Sequence, residues 1–440
     1  MVGNPPPQHL RETPPAREAA TPSRACPAIA VVGSGPAGCY AAQFLAKKWP
    51  DSEITVFESL PAPYGLIRYG VAADHQGTKG VSRQFDRLFT RDGVRFAGNV
   101  TIGRDIAFDR LAESFDIIVL ATGLPGDRGL AVPCEQGARV VGAGALLRAL
   151  NGFPQDVLPR DEEGRCVPLG RRVVVVGMGN VALDVLRLLS KKDFTGSDIH
   201  DELLGRIRPA PPETIDVLAR SRASQSKCDA AMLRELIALA DVDVAVSGLT
   251  GTDEGPVVDL LREFAGPAGP QDVPGRTQVT FHFGLVPESI TARGGATVLA
   301  ARRPDDGGPP AEFAADTVVT AIGFTQGEAC PRQDWAGDHV YRVGWLRRGA
   351  RGTIAQNRKD AQAVVRSIVD DFEAGRIGTA GPGFRAVEGS LAERVVGFPD
   401  WQRIDDVERR AAPPGRCRRK ITEIEQMLAI AMGHNRKDVA

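Results

Sequence analysis

Short β-branched runs alternate with amphipathic stretches along this chain, and two of the runs share one pattern. Ile29-Ala30-Val31-Val32 leads into Gly33-Ser34-Gly35-Pro36-Ala37-Gly38, and Val173-Val174-Val175-Val176 leads into Gly177-Met178-Gly179-Asn180-Val181-Ala182. An apolar, helix-like stretch follows each. Glu53 to Phe57 alternates as a strand and ends at Glu58. Asp116 to Ala121 (DIIVLA) reads as a buried strand, and Asp316 to Ala321 (DTVVTA) repeats it; they end in Thr122-Gly123 and Ile322-Gly323. Thr214 to Ala219 is the predicted returning strand of the second unit. Val279, Phe281 and Phe283 alternate like a half-exposed strand. Ala230 to Leu239 predicts an amphipathic helix, and Ile354, Ala361, Val364, Val365, Ile368 and Phe372 follow helical spacing. Residues 190–213 are polar and Pro-rich and read as an insertion, and 250–276 read as loop. Strands alternating with helices predict an α/β fold with two Rossmann-like, doubly wound parallel units.

Composition narrows the classes. A length of 440 residues with 42% hydrophobic content suits two or three domains. A formal charge of −1 argues against a nucleic-acid binder, and no run approaches the ~20 apolar residues of a membrane span. Residues 1–27 are rich in Pro and Ala and lack an apolar core, so they predict a disordered tail rather than a secretory signal. A cytoplasmic location follows, with organelle import through that tail left open. The seven cysteines include no CxxC pair and no metal-ligand cluster, so neither a reactive dithiol nor a bound metal is expected.

The glycine turns carry the chemistry. Gly33 permits a tight turn, Gly35 lets backbone approach a pyrophosphate, and Gly38 lets helix pack on strand. The helix N-terminus offers free N–H groups to phosphate. Glu58 lies twenty residues past Gly38, where a carboxylate grips ribose hydroxyls. Gly177, Gly179 and Ala182 form the GxGxxA variant. Arg220 and Arg222 follow the next strand, where cations would attract a 2′-phosphate, which predicts NADPH over NADH. Two such motifs in one chain imply two dinucleotides, the usual arrangement of a flavin enzyme fed by a nicotinamide.

These residues, with Pro61-Ala62-Pro63-Tyr64-Gly65-Leu66-Ile67-Arg68-Tyr69-Gly70-Val71-Ala72-Ala73-Asp74-His75, resemble the adrenodoxin-reductase-like family of ferredoxin–NADP⁺ reductases, of the glutathione-reductase-like superfamily. The likeness extends through Gly98-Asn99-Val100, Leu233-Arg234-Glu235-Leu236, Val343-Gly344-Trp345-Leu346-Arg347-Arg348-Gly349 and Gly352-Thr353-Ile354. It implies an FAD domain from 28–122 and 323–440 with an NADP domain, 123–322, inserted. By that resemblance Gly35, Pro36, Ala37, Glu58, Leu66, Val100, Trp345, Gly352, Thr353 and Ile354 contact FAD. Gly179, Asn180, Val181, Arg220, Glu235 and Gly352 lie at NADP, and His75 and Glu235 stand near the flavin–nicotinamide junction as catalytic residues. Read without it, His75 is a lone histidine of the kind more often structural, and Glu235 belongs to a solvated helix face.

The chain departs from the family where the nicotinamide would sit. Ser221 replaces the second of two adjacent arginines, Ala73 replaces the usual proline, and Cys228, Asp229 and Met232 are unusual in 227–232. The implied activity passes electrons from NADPH through FAD to an acidic ferredoxin-type iron–sulfur protein, by a monomer or homodimer with a local basic patch. Lys47, Lys48, Arg222, Lys227 and Arg234 are candidates for that patch. The altered segment also admits an FAD- and NADPH-dependent tailoring enzyme acting on a small molecule. A non-catalytic nucleotide-binding scaffold is the third reading.

Overall fold

The structure is a computed structural model. It describes residues 26–433 apart from 156–157, 268–274, 305–307, 327–334 and 392–394. The predicted tail therefore lies outside the described residues but for Cys26 and Pro27.

Five parallel strands form the first sheet, in the order Val340–Arg342, Ile117–Leu120, Ile29–Val32, Ile54–Phe57 and Arg95–Ala97. Ile29–Val32, Ile54–Phe57 and Ile117–Leu120 are buried throughout, as a parallel sheet covered on both faces requires. Helices Pro36–Lys48 and Ile354–Glu373 pack together on one face. Phe108–Ser114 and Phe384 help close the other.

A second sheet holds seven parallel strands, in the order Gly266–Pro267, Val242–Ser247, Thr277–Phe283, Thr214–Ala219, Arg172–Val176, Thr317–Thr320 and Val140–Gly142. Helices Ala143–Leu150, Asn180–Ser190, Ala230–Ile237 and Pro256–Phe264 bury one face. The opposite face carries an antiparallel layer, Val286–Arg293, Ala296–Arg302 and Ala311–Ala315, rather than helices. That layer explains the alternation at 279–283. Phe281 and Phe283 face the helical core, while His282 lies partly covered against Phe313 of the layer.

Two stretches read as irregular contain helices. Within 190–213 the segment Asp201–Ile207 is helical, its N-terminus capped by His200 Nδ1 accepting from Leu203 N at 3.3 Å, with Leu204 and Ile207 buried. Within 250–276, Pro256 opens helix Pro256–Phe264, which buries Val257, Val258, Leu260 and Leu261. Both helices are short and lie beside Gly- and Pro-rich loops, which hides their periodicity.

The two sheets repeat one device. Asp116 Oδ2 accepts from Ala28 N at 2.7 Å, and Asp316 Oδ2 accepts from Arg172 N at 2.9 Å, so the aspartate that opens each of these repeated segments anchors the start of its glycine-bearing strand. At the other end Ala121 N donates to Val32 O and Ala321 N to Val176 O, each at 2.8 Å. A two-stranded antiparallel ribbon, Gly126–Asp127 with Phe324–Thr325, joins the two segments that run between the sheets.

Candidate active site

Both glycine turns adopt the geometry their sequence predicts. Gly33 has φ +106°, and a Cβ there would stand 2.6 Å from Ala121 O, so the position combines a left-handed backbone with a close approach. Gly177 has φ +121° and meets Ala321 O in the same way. A Cβ on Gly38 would collide with Gly33 O, while Ala182 is fully buried at the equivalent packing point. Gly35 and Gly179 differ from these. A Cβ at either meets nothing within 4 Å, so both point at open space.

In the first unit that space is a cavity of about 320 Å³. Gly33, Gly35, Pro36, Ala37, Glu58, Leu66, Val100 and Trp345 all line it. Glu58 is buried at its rim. Its Oε2 accepts from Ser34 N at 3.1 Å and Ser34 Oγ at 2.6 Å, and its Oε1 from Ser59 Oγ at 3.1 Å and Leu60 N at 3.2 Å. Ser34 Oγ also accepts from Tyr64 N at 3.1 Å, which ties the 61–70 loop to the glycine turn. Val100 N donates to Glu58 O at 2.8 Å. Gly352, Thr353 and Ile354 stand outside the lining, at the exposed start of helix Ile354–Glu373. There Gln356 Oε1 accepts from Thr353 N at 3.0 Å in a capping box, and Asn357, one turn on, lines the cavity instead.

In the second unit Asn180 Oδ1 accepts from Asp229 N at 2.7 Å, and Asp229 in turn caps helix Ala230–Ile237. The altered 221–232 segment is thus fastened directly to the second fingerprint. Val181 is half-buried, and Arg220 and Arg222 are exposed. Among the described residues neither arginine forms an ion pair.

The two units meet at His75 and Glu235, which are brought within 3.1 Å, Nε2 to Oε2. His75 Nδ1 lies 3.7 Å from Asp184. Behind them Arg187 donates from Nε and Nη2 to both oxygens of Asp74 at 2.9 Å and from Nη2 to Asp184 at 2.7 Å. Burial raises the Asp74 pKa, but the Arg187 hydrogen bonds and charge, with Lys191, outweigh it and hold the carboxyl below its usual range. Neither Arg187 nor Asp184 belongs to a site motif legible in the sequence. The signal is an arginine inside the apolar run Leu183–Leu189, which demands a buried partner.

The residues present fit an FAD. The cavity has a backbone cradle at Gly35 that any Cβ would fill, a carboxylate at one end, and at Trp345 a buried indole Nε1 with no hydrogen-bond partner. Aromatic and aliphatic walls from Leu66, Tyr69, Phe153 and Trp345 suit a flat ring.

Fold and site together define a two-dinucleotide oxidoreductase. Residues 27–225 match the pyridine nucleotide-disulphide oxidoreductase family. The chain is 40% identical to the cindoxin reductase of Citrobacter braakii, over 92% of this chain and 91% of that one. It is 31% identical to the NADPH-ferredoxin reductase FprA of Mycobacterium tuberculosis, over 92% and 99%. The solved structure of M. tuberculosis FprA in complex with NADPH superposes with a TM-score of 0.79 at 28% identity, over 93% of this chain and all of that one. The chain belongs to the adrenodoxin-reductase-like ferredoxin–NADP⁺ reductases, oxidoreductases that use FAD and NADP(H).

Proposed function

We propose that this protein takes electrons from NADPH and delivers them through FAD to an acidic ferredoxin-type iron–sulfur protein. The observation that carries the reading is the pair of repeated glycine turns, each opening on empty space at its second glycine, joined through His75–Glu235. Residues 28–122 and 323–440 would hold the flavin dinucleotide, and 123–322 the nicotinamide dinucleotide.

FAD supplies the adaptor between two-electron and one-electron transfer. The chain binds and orients. Gly35 and the N-terminus of helix Pro36–Lys48 would take the pyrophosphate, and Glu58 the ribose, with Ser59 Oγ free to rotate away and release an acceptor lone pair. Gly179, Asn180, Val181 and the N-terminus of helix Asn180–Ser190 would take the second pyrophosphate. Arg220 and Arg222 would be free to take a 2′-phosphate, since no carboxylate among the described residues pairs with them. His75 and Glu235 would close over the junction. Gly352, Thr353 and Ile354 would reach the dinucleotides through backbone N–H groups at the start of their helix, by displacement of the Gln356 cap. Arg222, Lys227 and Arg234 are exposed, and together they would steer an acidic partner. Lys48, by contrast, is paired with Glu373 at 2.9 Å. No helix among the described residues is long and apolar enough to cross a membrane, and we place the reaction in the cytoplasm.

The test is reduction of cytochrome c by NADPH with purified protein. Rates that rise with added ferredoxin support the reading. Oxygen uptake that requires a small metabolite and ignores ferredoxin would replace it with the tailoring-enzyme reading.

A further inference from the structure

Arg148 is a cation placed in the flavin cavity with little to hold it there. It belongs to helix Ala143–Leu150, which reaches over from the second unit, and it lines the same cavity as Gly35 and Glu58. The wall it joins is aromatic. Its guanidinium lies 5.9 Å from the centre of the Phe153 ring, and Phe153 packs edge-on against Tyr69 at 5.2 Å. Leu66 and Tyr69 share one short helix, so this wall is distinct from the Glu58 rim. A dinucleotide whose ribose is at Glu58 and whose pyrophosphate is at Gly35 directs its ring system to the remaining part of the cavity, which Leu66, Tyr69, Phe153 and Trp345 enclose.

The side chain is largely buried and under-partnered. It is 14% exposed. Among the described residues it donates no hydrogen bond, and its one charged neighbour is Asp127 Oδ2 at 3.6 Å. Asp127 is already engaged, since its oxygens accept from Gly144 N at 2.7 Å and Ala145 N at 2.8 Å, capping the Arg148 helix. Burial accordingly outweighs the Asp127 charge and lowers the Arg148 pKa from its ordinary value, though an arginine stays charged. A largely buried cation with five donors and one distant partner gains when an acceptor or negative charge enters the cavity.

We propose that Arg148 is the residue that tunes the bound flavin, its guanidinium donating to the acceptor edge of the ring and favouring the reduced form. The inference rests on the reading of the cavity as the FAD site. NADPH is oxidised to NADP⁺ by giving up a hydride, and the ring gains that proton and electron pair, so it acquires one negative charge that a fixed cation stabilises. Because Arg148 sits on a helix of the second unit, the tuning charge is set by how that unit packs on the first.

The experiment compares wild type, Arg148→Met and Arg148→Lys as holoenzymes. FAD content, the visible spectrum and the midpoint potential by dye equilibration are read, followed by the rate of anaerobic reduction by NADPH. The expected result is a midpoint potential shifted to more negative values in R148M, with FAD retained and reduction slowed on the order of tenfold. R148K should lie between R148M and wild type. If R148M loses FAD while R148K keeps it, contact between the cation and the ring is equally supported. R148M with wild-type potential and spectrum overturns the assignment, as does loss of FAD from both variants alike. A wild-type protein that binds no FAD would instead overturn the functional reading itself.

Discussion

At Gly35 and Gly179 an added methyl group would touch no protein atom within 4 Å, whereas at Gly38 it would strike Gly33 O. The fingerprints therefore contain glycines that the fold requires and glycines that only a ligand would require, and substitution separates them. Gly38→Ala should destabilise the apoprotein by more than about 1 kcal/mol, because a backbone carbonyl cannot step aside. Gly35→Ala should leave apoprotein stability within about 0.5 kcal/mol and weaken FAD binding at least tenfold. Denaturant titration and FAD fluorescence quenching read the two effects. In the second unit Gly179→Ala should raise the KM for NADPH roughly tenfold or more while FAD content and midpoint potential hold steady. Equal destabilisation by G35A and G38A would remove the ligand argument. This distinction was legible in sequence only as a motif, since spacing says that three glycines are needed but not which faces a ligand. Arg148 was not legible at all. It sits in the last turn of helix Ala143–Leu150, a stretch that carries no motif, and its meaning depends on a cavity built by residues from both units.

Among the elements, helix Asn180–Ser190 does two tasks. Its N-terminus follows the second glycine turn, and its middle carries Asp184 and Arg187 into the contact with Asp74 and His75. Removing Arg187 takes the principal cation from two largely buried carboxylates, so Arg187→Met should cost about 3 kcal/mol. It should also slow NADPH-dependent reduction with FAD still bound, because Glu235 and His75 lose their common backing. A second clasp links the insertion to the first unit and the C-terminal segment. Asp198 accepts from Lys79 at 2.7 Å and lies 2.8 Å from Lys420, while Asp198 N donates to Ala73 O. Burial opposes its charge, but Lys420 and Lys79 outweigh burial and hold its carboxyl far below the usual range. Asp74 and Asp198 thus have native pKa values below their unfolded value of about 3.9. Their stabilisation is complete above that pH and is lost as pH falls through the native values, because the unfolded chain takes up the protons first. Thermal stability should therefore fall steeply below about pH 4, and Asp198→Asn should flatten that slope. An unchanged slope in the variant would show that the clasp does not set acid stability. Strand Thr214–Ala219 is legible in the sequence to the residue, while helices Asp201–Ile207 and Pro256–Phe264 are not. The first is a strong local pattern between core neighbours, and the other two owe their place to what they pack against.

Taken as a whole, the molecule is one device built twice and joined. Each unit anchors its glycine strand with an aspartate from a neighbouring strand's start, closes its turn against an alanine carbonyl, and leaves its second glycine open. That duplication, and hence the need for two dinucleotides, could be read from sequence because it lives in short, contiguous motifs. The joint between the units could not, since His75, Asp184, Arg187 and Glu235 lie up to 160 positions apart and only the fold gathers them. The central claim is that an NADPH held by the second unit reduces a flavin held by the first. Anaerobic titration of the FAD-loaded protein, followed by its visible absorbance, tests this directly. Stoichiometric bleaching by NADPH, and much less by NADH at equal concentration, is the predicted result. A yellow protein whose spectrum NADPH leaves unchanged would contradict it.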